Sequence, residues 1–279
     1  MRIEGMTAGD VMWQSTLLAV VATFAGATVI GSAHAQSGAG ERGGDALALS
    51  SFLPVTLEDA YPSDSLKLKP YLLYERNTDD ARGANLLQIA PRAELPIDAA
   101  HRAGLTLTAP YRVGNASSSG SGDYQLGVLY RFTDDHGGDG ILPALALRAQ
   151  AAQSYGAGAH PVETTLRFVA TKSLGELQTA PRLHLNVSWM HLAGERAADD
   201  RINRYSWGIG SSLLIGPATA FVADFFREQG STRGENSSLL EAGIRHAVSD
   251  KAVLALGAGA GLGDDSPDFR LLAGFEFSF

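Results

Sequence analysis

FRLLAGFEFSF, at residues 269–279, carries the pattern from which the fold follows. Phe269, Leu271, Ala273, Phe275, Phe277 and Phe279 alternate with Arg270, Leu272, Gly274, Glu276 and Ser278. Successive side chains of a β-strand point to opposite faces, so a period of two makes this a strand with one apolar and one wetter face. Soluble strands usually run about 5–6 residues, whereas a tilted strand crossing a hydrocarbon core needs about 9–11.

The same pattern recurs upstream. Leu105, Leu107, Ala109, Tyr111 and Val113 share one parity, as do Tyr124, Leu126, Val128, Tyr130 and Phe132, and again Leu183, Leu185, Val187 and Trp189. Such runs lie near 66–75, 85–95, 103–113, 123–132, 141–151, 161–172, 181–192, 204–215, 218–228, 238–248, 252–262 and 269–279. No stretch reads as an amphipathic helix of three turns. The connections tend to alternate, polar Gly/Ser/Asp/Asn loops such as 193–203 with tight turns such as Gly216-Pro217 and Ser249-Asp250-Lys251. The expected fold is all-β: an antiparallel up-and-down transmembrane β-barrel of about twelve strands over residues 66–279.

Lipid forces that closure, because every backbone N–H and C=O there must be paired within the protein. The place for such a barrel is the outer membrane of a Gram-negative bacterium, among outer-membrane lipid and lipopolysaccharide. An even strand number leaves both chain ends on the periplasmic side, with Phe279 at the inner interface. Its aromatic ending, Phe275, Phe277 and Phe279, resembles the C-terminal signal that the barrel assembly machinery reads. Tyr74, Tyr111, Tyr124, Trp189, Tyr205 and Trp207 fall near outer strand ends, and Tyr130, Phe132, Phe277 and Phe279 near inner ends, as two interfacial girdles would.

The opposite parity should face an enclosed interior. It carries Arg92, Arg112, Arg131, Arg148, Arg167, Arg182 and Arg245 with Glu94, Glu163, Asp224 and Glu241, and further bases at Lys67, Lys69, Arg204 and Arg270. A cationic side chain costs roughly 2–4 kcal/mol on the lipid face at mid-depth, so a wet or ion-paired lumen is where these belong. They are the pore candidates: a narrow channel constricted by Arg–Glu pairs, passing small solutes. A lumen plugged by those same pairs, in a structural or adhesive barrel, is the alternative.

Upstream of the barrel, Leu17–Ile30 is apolar and charge-free and is followed by Ala33-x-Ala35, a secretory h-region with its cleavage site. Residues 1–35 are therefore expected to be a signal peptide cut after Ala35. Its n-region contains Glu4 and Asp10 beside Arg2, and Met6 or Met12 would serve equally as the start. Residues 36–65 form a lead-in, either a periplasmic tail or a plug in the lumen, with Leu57–Pro62 its most ordered-looking part.

Composition excludes much else. A net charge of −8 argues against a nucleic-acid partner, and the absence of cysteine removes disulfides, thiolate metal sites and thiol nucleophiles. Gly257–Gly263 reads GAGAGLG, but it lacks the G-x-G-x-x-G spacing and no helix follows, so it is a strand with a small face rather than a dinucleotide site. There is no P-loop, G-x-S-x-G or H-E-x-x-H, and the seven histidines form no ligand cluster in sequence. Neither a cofactor nor a catalytic role is expected. The one enzymatic alternative is a lipid-modifying Ser-His-Asn set on the outer rim, from His191, Asn203 and Ser211.

LEDAYPSDSLKLKPYLLYERN (57–77), LQIAPRAELPI (87–97) and LLEAGIRHAVSDKAVLALGAGAGLGDDSPDFRLLAGFEFSF (239–279) resemble the proteobacterial outer-membrane transporter family labelled "MetA-pathway of phenol degradation". The resemblance implies an outer-membrane channel that takes up aromatic or other hydrophobic compounds. No catalytic residue comes with it.

Overall fold

The computed structural model describes residues 55–76, 84–116, 118–136, 140–157, 161–175, 181–194 and 200–279. The expected cleavage site at Ala33 and Ala35, and most of the lead-in, lie outside them. Fifteen strand segments follow one another: β1 (Lys67–Leu68), β2 (Tyr71–Arg76), β3 (Asn85–Ala90), β4 (Arg92–Pro96), β5 (Ala103–Thr108), β6 (Tyr111–Gly114), β7 (Ser121–Thr133), β8 (Ala144–Gly156), β9 (Val162–Ser173), β10 (Arg182–Ala193), β11 (Asn203–Gly216), β12 (Thr219–Gln229), β13 (Asn236–Ser249), β14 (Ala252–Gly261) and β15 (Phe269–Ser278). Among the described residues there is no helix.

The fifteen segments make twelve spans, because β1–β2, β3–β4 and β5–β6 are each one strand interrupted at a proline. Pro70, Pro91 and Pro110 have no N–H to give the ladder, which is why the three runs read as continuous in sequence break in the structure. The three fall in one row across neighbouring strands, from Pro70 near the inner rim to Pro110 nearer the outer one. Lys69 N donates to Arg92 O (2.8 Å), Ala109 N to Pro91 O (3.2 Å), Phe275 N to Pro70 O (3.0 Å) and Asp123 N to Pro110 O (3.3 Å).

Neighbouring spans pair antiparallel in sequence order, and the ring closes where β15 meets the first span. Phe269↔Arg76 through Gly274↔Tyr71 pair it with β2, and Lys67↔Ser278 and Leu68↔Phe277 with β1. Phe279 N adds a bond to Leu66 O at 3.0 Å. Closure leaves no unpaired sheet edge, as lipid requires.

Burial is inside out relative to a soluble protein. Along β10, Leu183, Leu185 and Val187 are 43%, 40% and 45% exposed, while Arg182, His184, Asn186 and Ser188 are 4%, 1%, 2% and 2%. Apolar residues exposed outward and polar residues enclosed is the pattern of a sheet solvated by acyl chains. The aromatics sit as read: Trp189 pairs with Tyr205 on one rim, while Phe132, Phe277 and Phe279 are exposed at the other. Tyr155, absent from the expected girdle, stacks on Tyr124 (4.3 Å between centroids) and donates its hydroxyl to Pro110 O (2.9 Å). Gly122 makes room for it, since a Cβ there would lie 2.5 Å from the Tyr155 ring.

The span expected at 141–151 runs instead from Ala144 to Gly156. Ile141 and Leu142 lie in the preceding turn, strongly exposed, ahead of Pro143. An apolar pair before the strand mimicked its first residues.

Candidate functional site

The inward face of the wall is charged and paired. At the inner end Lys69 Nζ meets Glu94 Oε2 at 2.6 Å, Arg92 meets Glu94 Oε1 at 2.7 Å, and Lys67 and Arg245 each meet Glu276 at 3.2 Å. Nearer the outer end Arg112 pairs with Asp123 (2.8 Å), and Arg204 with both Glu163 and Glu228. Arg270 Nε donates to Glu75 (2.7 Å), and its Nη1 reaches Glu241 at 3.2 Å. Arg131 pairs with Asp134 of the following turn at 3.0 Å.

Half-way along the spans the lumen is crossed by the chain's own lead-in, Val55–Tyr61. Its backbone is held residue by residue. Thr56 N donates to Glu241 (2.8 Å), Leu57 N to Asp224 (3.0 Å), Glu58 N to Asn186 Oδ1 (2.9 Å) and Ala60 N to Thr171 (3.1 Å). Asn186 Nδ2 returns a bond to Glu58 O at 2.9 Å. Asp224 and Glu241 are cross-strand partners, and each accepts one of these amides.

Side chains lock the segment further. The Glu58 carboxylate sits between Arg148 Nε (2.8 Å) and Arg167 Nη1 (3.3 Å). Asp59 faces Arg182 at 3.9 Å and accepts from the Thr171 hydroxyl at 3.0 Å. Arg131 stacks 4.5 Å over the Tyr61 ring, with Arg182 near the same ring at 5.6 Å. Burial pushes the Tyr61 hydroxyl up from its ordinary pKa.

Leu57 enters a notch between Gly208 and Gly210, packing with Phe226 and Leu239; a Cβ on Gly208 would lie 2.5 Å from its methyl. Val55 packs on Val222, and Ala60 on Leu129, Ala144, Ala146 and Val169. Beside the segment lies a cavity of about 180 Å³ lined by Tyr71, Leu73, Leu272, Arg92 and Arg270 together with Val55–Glu58 and Glu241.

Every inward charge read from the sequence thus lies on the lumen wall, but they form three groups rather than one constriction. The residues that the reading passed over are Glu58, Asp59 and Tyr61 of the lead-in. Nor does the rim set assemble: His191 Nδ1 and Asn203 Oδ1 are 3.0 Å apart, but Ser211 lies eight residues along β11, roughly 27 Å away at strand rise.

No family profile and no curated protein matches the chain. Among solved structures, a COG4313 outer membrane channel from Pseudomonas putida F1 superposes with a TM-score of 0.60 at 13% identity, over 81% of this chain and 100% of that one. The beta domain of the Bordetella autotransporter BrkA matches at a TM-score of 0.50 and 15% identity, covering 77% and 100%. The fold is that of the outer-membrane β-barrels of Gram-negative bacteria.

Proposed function

We propose that this protein is a passive outer-membrane channel for small solutes, held shut in the described conformation by Val55–Tyr61. The observation that carries the reading is a wall of charged and polar side chains enclosed by twelve spans. An interior lined with charge at this density suits passage of water and polar solutes. The segment is bound by side chains, with no ladder to the wall, so it releases without breaking the barrel.

The likeness to the MetA-pathway family supports aromatic or hydrophobic compounds as the solute class, as do Tyr71, Leu73 and Leu272 lining the cavity. The scattered rim set supports a transport role over a lipid-modifying one. Export by the leader ending at Ala35, and insertion by the assembly machinery through Phe279, complete the reading.

Conductance in planar bilayers tests it: the full chain should open intermittently, and Glu58→Ala should lengthen the open times. A silent bilayer with both proteins would favour the second reading, which the tightly bonded segment supports, of a permanently plugged structural barrel.

A further inference from the structure

Most inward-facing arginines described above take their counter-charge from the wall or an adjoining turn. Beside Arg182, which faces Asp59 of the lead-in, the exceptions are Arg148 and Arg167. They are cross-strand partners on β8 and β9, and the carboxylate between them belongs to Glu58 of the lead-in. Their other partners are neutral hydroxyls, Thr106 for Arg148 (3.5 Å) and Ser188 for Arg167 (2.9 Å). Glu94 of the wall is already held by Lys69 and Arg92. Two like charges on adjacent strands repel, so the pair is stable only with an anion between them.

We propose that Arg148 and Arg167 form the binding site for the carboxylate of a small solute, and that Glu58 is its resident competitor. Guanidinium groups recognise carboxylates through charge-assisted hydrogen bonds with fixed geometry. The adjoining cavity, lined by Tyr71, Leu73, Leu272 and Leu57 together with Arg92, Arg270 and Glu241, offers that solute a partly apolar berth, and cavities of roughly 150 Å³ already admit a benzene ring. The ligand class is therefore a monocarboxylate with a small apolar body. Its arrival and the departure of Glu58 are one exchange, which couples occupancy to opening. This rests on the channel reading for its purpose but not for its test.

Equilibrium dialysis of the full chain in detergent micelles against radiolabelled benzoate, with benzyl alcohol as the neutral control, measures the site directly. Removing an intramolecular competitor in Glu58→Ala should tighten benzoate binding about tenfold or more and leave benzyl alcohol unchanged. Adding Arg148→Gln and Arg167→Gln to that variant should abolish the gain. Glu58→Gln, which keeps the side-chain volume, should show a smaller gain of the same sign if Glu58→Ala fails to assemble. Equal benzoate affinity with and without the Glu58 charge, or tight binding that survives loss of both arginines, would overturn the proposal. Carboxylate binding in a protein that never conducts would sink the channel reading alone; conductance with no preference for benzoate would sink this site alone.

Discussion

Burial alone would raise the pKa of the Glu58 carboxyl, but the guanidinium groups of Arg148, Arg167 and Arg92 outweigh it and hold it below the usual carboxylate range. A group whose pKa is depressed in the docked state stabilises docking above its free pKa and loses that contribution as pH falls through the docked value. Acid should therefore release the segment, and neutral pH should keep it seated. The chain has no cysteine, so a nitroxide on Val55→Cys reports this alone: immobile at pH 7, mobile several units lower. Mobility that never changes before the barrel itself unfolds would contradict it. A steric test is independent of charge. Gly208→Ala places a methyl 2.5 Å from Leu57 and should loosen the same label at pH 7 while the barrel stays closed. The apolar residues on the wet parity, Leu129, Val169, Val222, Phe226 and Leu239, were visible in the sequence. Alternation alone treats them as noise. They are the imprint of the lead-in, legible only once something apolar is known to lie against them.

At the scale of the strand, periodicity located all twelve spans because lipid outside and water inside impose opposite demands on alternate residues. What it missed follows from groups that leave side-chain parity untouched. Pro70, Pro91 and Pro110 preserve the alternation while removing a donor each, so the three interruptions were invisible to a pattern of side chains. The GAGAGLG run, by contrast, forms the small-faced strand its composition predicts: Gly257, Gly259 and Gly261 point inward on β14, and a Cβ on Gly259 would meet Glu241 at 2.8 Å. In an antiparallel bonded pair both residues exchange N–H···O=C bonds. Pro91 accepts from Ala109 but returns nothing. Its ring faces lipid, so Pro91→Val should restore one bond, worth about 1 kcal/mol, and raise the temperature at which the folded band disappears on an SDS gel. An unchanged or lower melting point would mean that the break is needed for the wall's curvature.

For the whole molecule, closure predicts behaviour. Unheated protein in SDS should migrate faster than boiled protein, since a sealed hydrogen-bond network resists detergent; identical mobility would contradict the ring. Deleting Phe279 removes the bond to Leu66 O and the exposed terminal ring. It should lower the amount assembled in the outer membrane severalfold while leaving export to the periplasm intact, as cell fractionation would show. Inward charge was legible from parity, whereas its grouping was not, because ion-pair choice depends on register and on a segment that enters from outside the sheet.

The seam between β15 and the first span joins residues about two hundred positions apart, while every other junction is between chain neighbours. Loop closure over that distance comes late in folding, so eleven hairpin-like contacts form before the cylinder is sealed. A polypeptide cut short of residue 269 would keep those local contacts yet present two raw flanks, one on β2 and one on β14. Each would offer unsatisfied amides to any passing strand. Proteolytic clipping near the carboxyl end should then yield adhesive sheets in place of a smaller pore.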